Sequence, residues 1–224
     1  MCNAKKLELP GLFEAKARDW GTSAHWPDGL RRNIEPRRLA RPTNTLPVMR
    51  PIDPADPAAG LEIVDMRWWM VPFFHKGPDV KAWKAMCTNA RSEEIASKAT
   101  FREPYKRRRG VALVDGFYEW TASAPTPKPR WLIERADGQP MTFPIVWDSW
   151  KGAGGSVESY ALLTTAAGPG MNGIHDRQPV ILEDDQVLPW LDLSTDPAAG
   201  YTGSAEGALR LTHSGVGFDF PEAA

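Results

Sequence analysis

The stretch that decides the fold is residues 107–123, "RRRGVALVDGFYEWTAS". An apolar run ends at Asp115-Gly116, and a second, aromatic run follows. That order reads as a strand, a turn at "DG" with Asp115 as its turn residue, and a second strand. Residues 130–150, "RWLIERADGQPMTFPIVWDSW", repeat the pattern around an "ADGQP" turn. Working outward, "LEIVDMRWWMVPFF" (61–74) gives one or two strands, and "GGSVESYALLTTAA" (154–167) a strand entering a loop of small residues. "AEGALRLTHSGVG" (205–217) gives a last strand. Proline density over 34–60 prevents a long helix and predicts extended chain with turns. Two helices are expected. One runs through "RSEEIASKA" (91–99), with Ser92 and two glutamates near its N-terminus; the other starts in the acidic stretch of "DRQPVILEDDQVLPWLDL" (176–193), after a short strand. The fold class is therefore α+β: a single domain over 1–224 with a mainly antiparallel, barrel-like sheet, a few flanking helices, and a flexible tail from about residue 215.

The 224 residues and ten tryptophans suffice for a buried core without staples. A net charge of −1 excludes a broadly basic protein but leaves room for a local basic groove. Two cysteines, Cys2 and Cys87, stand in no metal-ligand spacing, and four dispersed histidines form no HExxH. No metal or cofactor is expected. The opening "MCNAKKLELPGLFEAK" has no apolar h-region, and no run reaches the length of a membrane span. The expectation is a cytoplasmic protein that makes no membrane contact.

Four stretches hold polar residues that a simple core pattern would not place: Cys2, "TNARSE" (88–93), "DGFYEW" (115–120) and "GIHDRQP" (173–179). Each also has a plain reading. Glu119 falls on the face opposite Tyr118 and Trp120, as a solvent-facing strand carboxylate would. Asn89 and Arg91 suit a helix N-cap and an exposed arginine, and His175 suits a surface loop. Cys87 suits a small buried residue. The basic run "YKRRRG" (105–110) reads as a solvated face, or, with the tryptophan pair Trp68-Trp69, as a groove where cations meet phosphates and rings stack on bases.

Taken together, in this order and behind an initial "MC", the words "PVMR", "MRWWMVPFF", "TNARSE", "FREPYKRRRGVALVDGFYEW", "LLTTAA" and "GIHDRQPVIL" resemble the SOS-response-associated peptidase family of abasic-site processing proteins. The resemblance covers most of the chain. It implies that Met1 is removed, that Cys2 becomes the first residue, and that its amine and thiol capture the ring-opened aldehyde of an abasic deoxyribose in single-stranded DNA as a thiazolidine. It also implies a damage-response role. By matching motif, Asn89 positions the terminus and the sugar. Glu119 moves protons near the Cys2 amine and takes part in Met1 removal. His175 handles protons on the sugar. Arg91 contacts phosphate, Trp68 and Trp120 pack against bases or wall the pocket, and Arg177 and Thr165 contact the DNA backbone. The family's arginine at the fourth position is Ala4 here, and Lys5 or Lys6 supplies a cation close by.

The chemistry has its own logic. An α-amine titrates at about 7.7–8.0, so much of it is neutral and nucleophilic near neutral pH. A thiol on the same residue traps the reversible imine at high effective concentration. An internal cysteine cannot do this, because its nitrogen is an amide. Two other readings stand beside this one: a general thiol peptidase using Cys2 and His175, and a non-catalytic single-stranded DNA binder. The expected partner is single-stranded DNA with abasic sites, and the expected state is a monomer.

Overall fold

Residues 109–152 form one bent ribbon on which both sheets are built. In the computed structural model, which describes residues 4–7, 12–27, 37–197 and 200–218, strand β7 (Arg109–Val114) and strand β8 (Gly116–Trp120) do not pair with each other. Instead β8 pairs with β9 (Pro129–Arg135), and β7 pairs with β10 (Met141–Gly152), both antiparallel. The hairpin turn is therefore the 121–128 loop. The two "DG" sites are corners where the ribbon passes from one sheet to the other. This corrects the strand–turn–strand reading: Asp115 does not fold β8 back onto β7, because its N–H continues a ladder by donating to Lys6 O (2.9 Å). Gly116 is needed at the corner, since a Cβ there would lie 2.8 Å from Ile133 O.

The remaining strands are β1 (Ala4–Leu7), β2 (Ala24–His25), β3 (Arg37–Ala40), β4 (Thr45–Pro51), β5 (Leu61–Trp68), β6 (Asn89–Arg91), β11 (Gly155–Ala166), β12 (Arg177–Pro179) and β13 (Leu209–Val216). The smaller sheet has the order β13-β9-β8-β1-β3. The larger runs β12-β11-β10-β7-β4-β5-β2, and a parallel pairing of β5 with β11 closes β11, β10, β7, β4 and β5 into a five-stranded barrel. The α+β, mainly antiparallel, barrel-like class is what the structure has.

Strand β7 is buried on both faces, which is why "VALV" is continuously apolar rather than alternating. Ala112 and Val114 join a core with Phe117 and Ile133 of the smaller sheet. Val111 and Leu113 face a second core. That core is covered by helix α1 (Leu12–Asp19), through Phe13 and Ala17, and by helix α3 (Asp184–Leu191), through Val187, Trp190 and Leu191. Glu183 and Gln186 cap α3 reciprocally, and Lys16 of α1 reaches Asp184 at 2.8 Å. Arg109 of the "RRR" run is buried rather than solvated; it donates to the carbonyls of Tyr105, Trp190, Asp192 and Thr195.

The helix expected over 91–99 is absent, and this too is a correction. Asn89–Arg91 is strand β6, parallel to β11, and Ser92 N–H donates to Thr164 O (2.9 Å) rather than starting a helix. Successive turns follow until helix α2 (Arg102–Arg107). Of the tail expected from about residue 215, the first four residues are described, with Trp120 Nε1 donating to Gly217 O, and 219–224 lie outside the described residues.

Candidate functional site

Three of the sequence words converge where β11 ends. Pairing of β6 with β11 sets Asn89 opposite Leu162 and Arg91 opposite Thr164; pairing of β12 sets Arg177 opposite Ala166. Arg177 Nη2 donates to Thr164 O (2.7 Å), and its guanidinium grips Glu93 with two bonds of 2.8 and 3.0 Å. The "NARSE" and "HDR" words are thus tied by a fork of the kind arginine makes with carboxylates. Glu93, expected as an N-terminal carboxylate of the 91–99 helix, instead pairs with Arg177, and that guanidinium holds its carboxyl below the ordinary value. "DGFYEW" joins from the smaller sheet, because Ala122, just past β8, donates its N–H to Ile174 O (2.8 Å) beside His175.

Glu119 is 2% exposed, which overturns its plain reading as a solvent-facing carboxylate. Both faces of β8 are covered, so alternation does not carry the side chain into water. Its Oε1 accepts from Trp120 N–H at 3.1 Å. β8 lies beside β1, with Ala4 opposite Tyr118, so the first described strand starts next to Glu119. Cys2 itself lies outside the described residues.

His175 is half-buried. Its Nδ1 accepts from Arg177 N–H (3.0 Å) and also lies 2.7 Å from Asp176 Oδ1. One nitrogen cannot serve both at once. A neutral ring with the proton on Nε2 accepts from the backbone, and a protonated ring donates to Asp176. Each arrangement has a partner in place.

Asn89 Nδ2 donates to Thr88 Oγ1 (3.0 Å), and Arg91 is exposed on β6, not part of an N-cap, with Glu94 3.7 Å away. Several other expected roles need correction. Trp68 is fully buried, donating Nε1–H to Thr88 O (3.1 Å), so its ring is not open to a base. Lys5 is 1% exposed: its ammonium donates to Tyr160 Oη (3.0 Å) and sits 4.0 Å above the Trp68 ring. It anchors β1 by cation–π and hydrogen-bond contact rather than holding phosphate. Tyr160, its hydroxyl partner, had no signal in the sequence. Thr165 is buried and donates its hydroxyl to Tyr201 O (3.1 Å), so that contact is internal to the fold. Trp120 is buried, with Nε1 donating to Gly217 O (2.6 Å) and its ring against Phe218. The thiol of Cys87 is buried as expected, and burial pushes it up from its ordinary value.

Comparison with known proteins agrees with the fold and the sequence words. Solved structures from Bacteroides thetaiotaomicron (TM-score 0.76, 17% identity, covering 95% of this chain and 91% of that one) and Bordetella bronchiseptica (TM-score 0.73, 22% identity, 95% and 99%) share the architecture. Among curated proteins, "Abasic site processing protein HMCES" of Xenopus tropicalis is 28% identical over 213 residues, covering 84% of this chain and 61% of that protein. The mouse protein of the same name is 31% identical over 179 residues, covering 67% and 49%. "Abasic site processing protein YoqW" of Bacillus subtilis is 33% identical over 134 residues, covering 59% and 58%. The chain thus spans about half to three-fifths of the length of these relatives. The model of the family described as "SOS response associated peptidase (SRAP)" matches residues 9–210, and the chain belongs to that family.

Proposed function

We propose that this chain processes abasic sites in DNA as part of the response to DNA damage, and that it does so by crosslinking itself to the lesion in single-stranded DNA through Cys2. The observation that carries the reading is the placement of Glu119, a buried carboxylate on β8 directly beside the start of β1. Cys2 precedes Ala4 by two residues, so its Cα lies within about 7 Å of that of Ala4. In this reading the amine and thiol of Cys2 work beside that carboxylate, and the loop that carries His175 is tied to the end of β8 by the Ala122 N–H to Ile174 O bond.

The reaction begins once Met1 is removed. The neutral α-amine attacks the aldehyde carbon of the ring-opened sugar, and loss of water leaves an imine. Sulfur then adds to the imine carbon; the C=N π pair becomes a lone pair on nitrogen, and the thiol proton ends there. The product is a thiazolidine, with no oxidant and no leaving group beyond water. Glu119 moves protons at the amine during addition and dehydration, and also assists hydrolysis of the Met1–Cys2 bond. His175, whose ring has a partner in either charge state, passes a proton to and from the sugar oxygen as the ring opens. Arg91, which is exposed, contacts a phosphate beside the lesion in this reading.

Intact-mass measurement before and after incubation with abasic single-stranded DNA tests this. The expected result is a chain lacking Met1 that gains the mass of the DNA less one water, and a Cys2→Ala variant that gains none. An equal adduct yield from Cys2→Ala, or from protein acetylated at Cys2, would overturn it.

A further inference from the structure

The C-terminal strap offers a surface that the crosslinking chemistry does not use. β13 ends at Val216, and the chain then crosses the open side of Trp120. Trp120 Nε1 and Arg130 Nη1 donate to Gly217 O at 2.6 and 3.4 Å, and Gly217 N–H donates to Lys128 O at 2.8 Å. Gly215 and Gly217 have φ of +119° and +58°, and a Cβ on Gly215 would meet Arg130 Nη2 at 2.8 Å. The course of the strap therefore depends on these two glycines. It sets the Phe218 ring on the Trp120 indole, with centroids 4.6 Å apart and planes tilted by 31°. Trp120 is covered by this contact, while Phe218 stays 65% exposed. Beside the ring, the exposed Arg41 donates Nη2–H to Phe218 O at 3.2 Å.

An exposed aromatic face, fixed from behind by a second ring and flanked by an arginine, is the arrangement by which proteins hold unpaired bases without reading their sequence. We propose that Phe218 is the base-stacking platform of this protein: its outer face takes an unpaired nucleobase of the strand that carries the lesion. Trp120 supports the ring from beneath, and Arg41 brings positive charge to the adjoining phosphate. The proposal rests on the single-stranded DNA reading above and adds a contact to it. It also gives Trp120 a supporting role in place of the direct base contact that its burial prevents.

The test is a fluorescence-anisotropy titration of labelled, unmodified single-stranded oligothymidine at fixed low salt, so that no crosslink forms. It compares the unaltered chain with Phe218→Ala, Phe218→Leu and Phe218→Trp. The leucine variant keeps apolar bulk over Trp120 and removes only the π-face, which guards against simple loosening of the strap. Ala and Leu are expected to weaken binding about 5- to 100-fold, with Trp within about twofold of the unaltered chain. Unaltered affinity in both the Ala and Leu variants, beside a binding parent, overturns the platform alone. Tighter binding by Phe218→Ala also overturns it, since the strap would then compete with DNA. No binding by the parent chain overturns the DNA reading itself.

Discussion

Glu119→Gln separates chemistry from packing at the centre of the proposed site. The side chain is almost fully buried, and Oε1 accepts a hydrogen bond from Trp120 N–H at 3.1 Å. Glutamine has the same shape, and its amide oxygen can accept that bond. The fold should therefore change by no more than about 1 kcal/mol. Alanine would instead empty the volume and strip the bond, mixing a structural loss into the result. What glutamine cannot do is take up and return a proton. If Glu119 is the proton-transfer group at the Cys2 amine, adduct formation should slow by about 10²–10⁴, or about 2.7–5.4 kcal/mol of barrier. The assay is a single-turnover time course of heat-stable adduct with abasic single-stranded DNA near neutral pH, alongside urea unfolding of the same preparation. A glutamine variant with unchanged unfolding that crosslinks within about threefold of the parent rate would refute the proton-transfer role, since that falls far below the typical general-acid-base contribution of about 10²–10⁴.

Three further outcomes are expected. Arg109→Met removes a buried guanidinium that donates to the carbonyls of Tyr105, Trp190, Asp192 and Thr195 and should cost about 3 kcal/mol in a urea melt, with full crosslinking by the fraction that remains folded. The folded-state carboxyl of Glu93 is held low by Arg177, so its contribution is complete above its unfolded value and disappears as pH falls through the folded one. The stability gap between the parent and Glu93→Gln should accordingly be level near neutrality and shrink below about pH 4, and since Glu93 is about half exposed it should not exceed about 1 kcal/mol. Cys87, buried and with its thiol pushed up, should resist iodoacetamide in the native protein and react only in urea; rapid native labelling, read by peptide mass, would contradict its packing.

Strand content was legible in the sequence because it rests on local patterns: β5, β9, β10, β11 and β13 all coincide with apolar or β-branched runs bounded by turn residues. Pairing was not legible. "DG" is the standard signal for a tight hairpin, yet both instances mark corners between sheets, and at the first a Cβ on Gly116 would meet Ile133 O of the neighbouring strand. "RSEEIASKA" has good helical composition, but the free edge of β11 competes for its start and takes Asn89–Arg91 as a strand. The site words were legible as words because chemistry-bearing residues stood in a specific order. Their environments were not. Burial of Glu119, Lys5 and Trp68 depends on strands more than forty residues away in sequence, and single-residue alternation carries no information about the second covering layer.

The smaller sheet also imposes an order of events. Ala4 pairs with Tyr118, a separation of 114 residues, and the ribbon that supplies β8 is itself clamped by β9 and β10. Contacts this distant form only after the intervening chain exists. At about 5–20 residues per second, ribosomal synthesis leaves β1 waiting roughly 6–23 s for its partner. Strand β1 is thus without its partner until β8 has been made, whereas β8 and β9 can pair as soon as the 121–128 loop is complete.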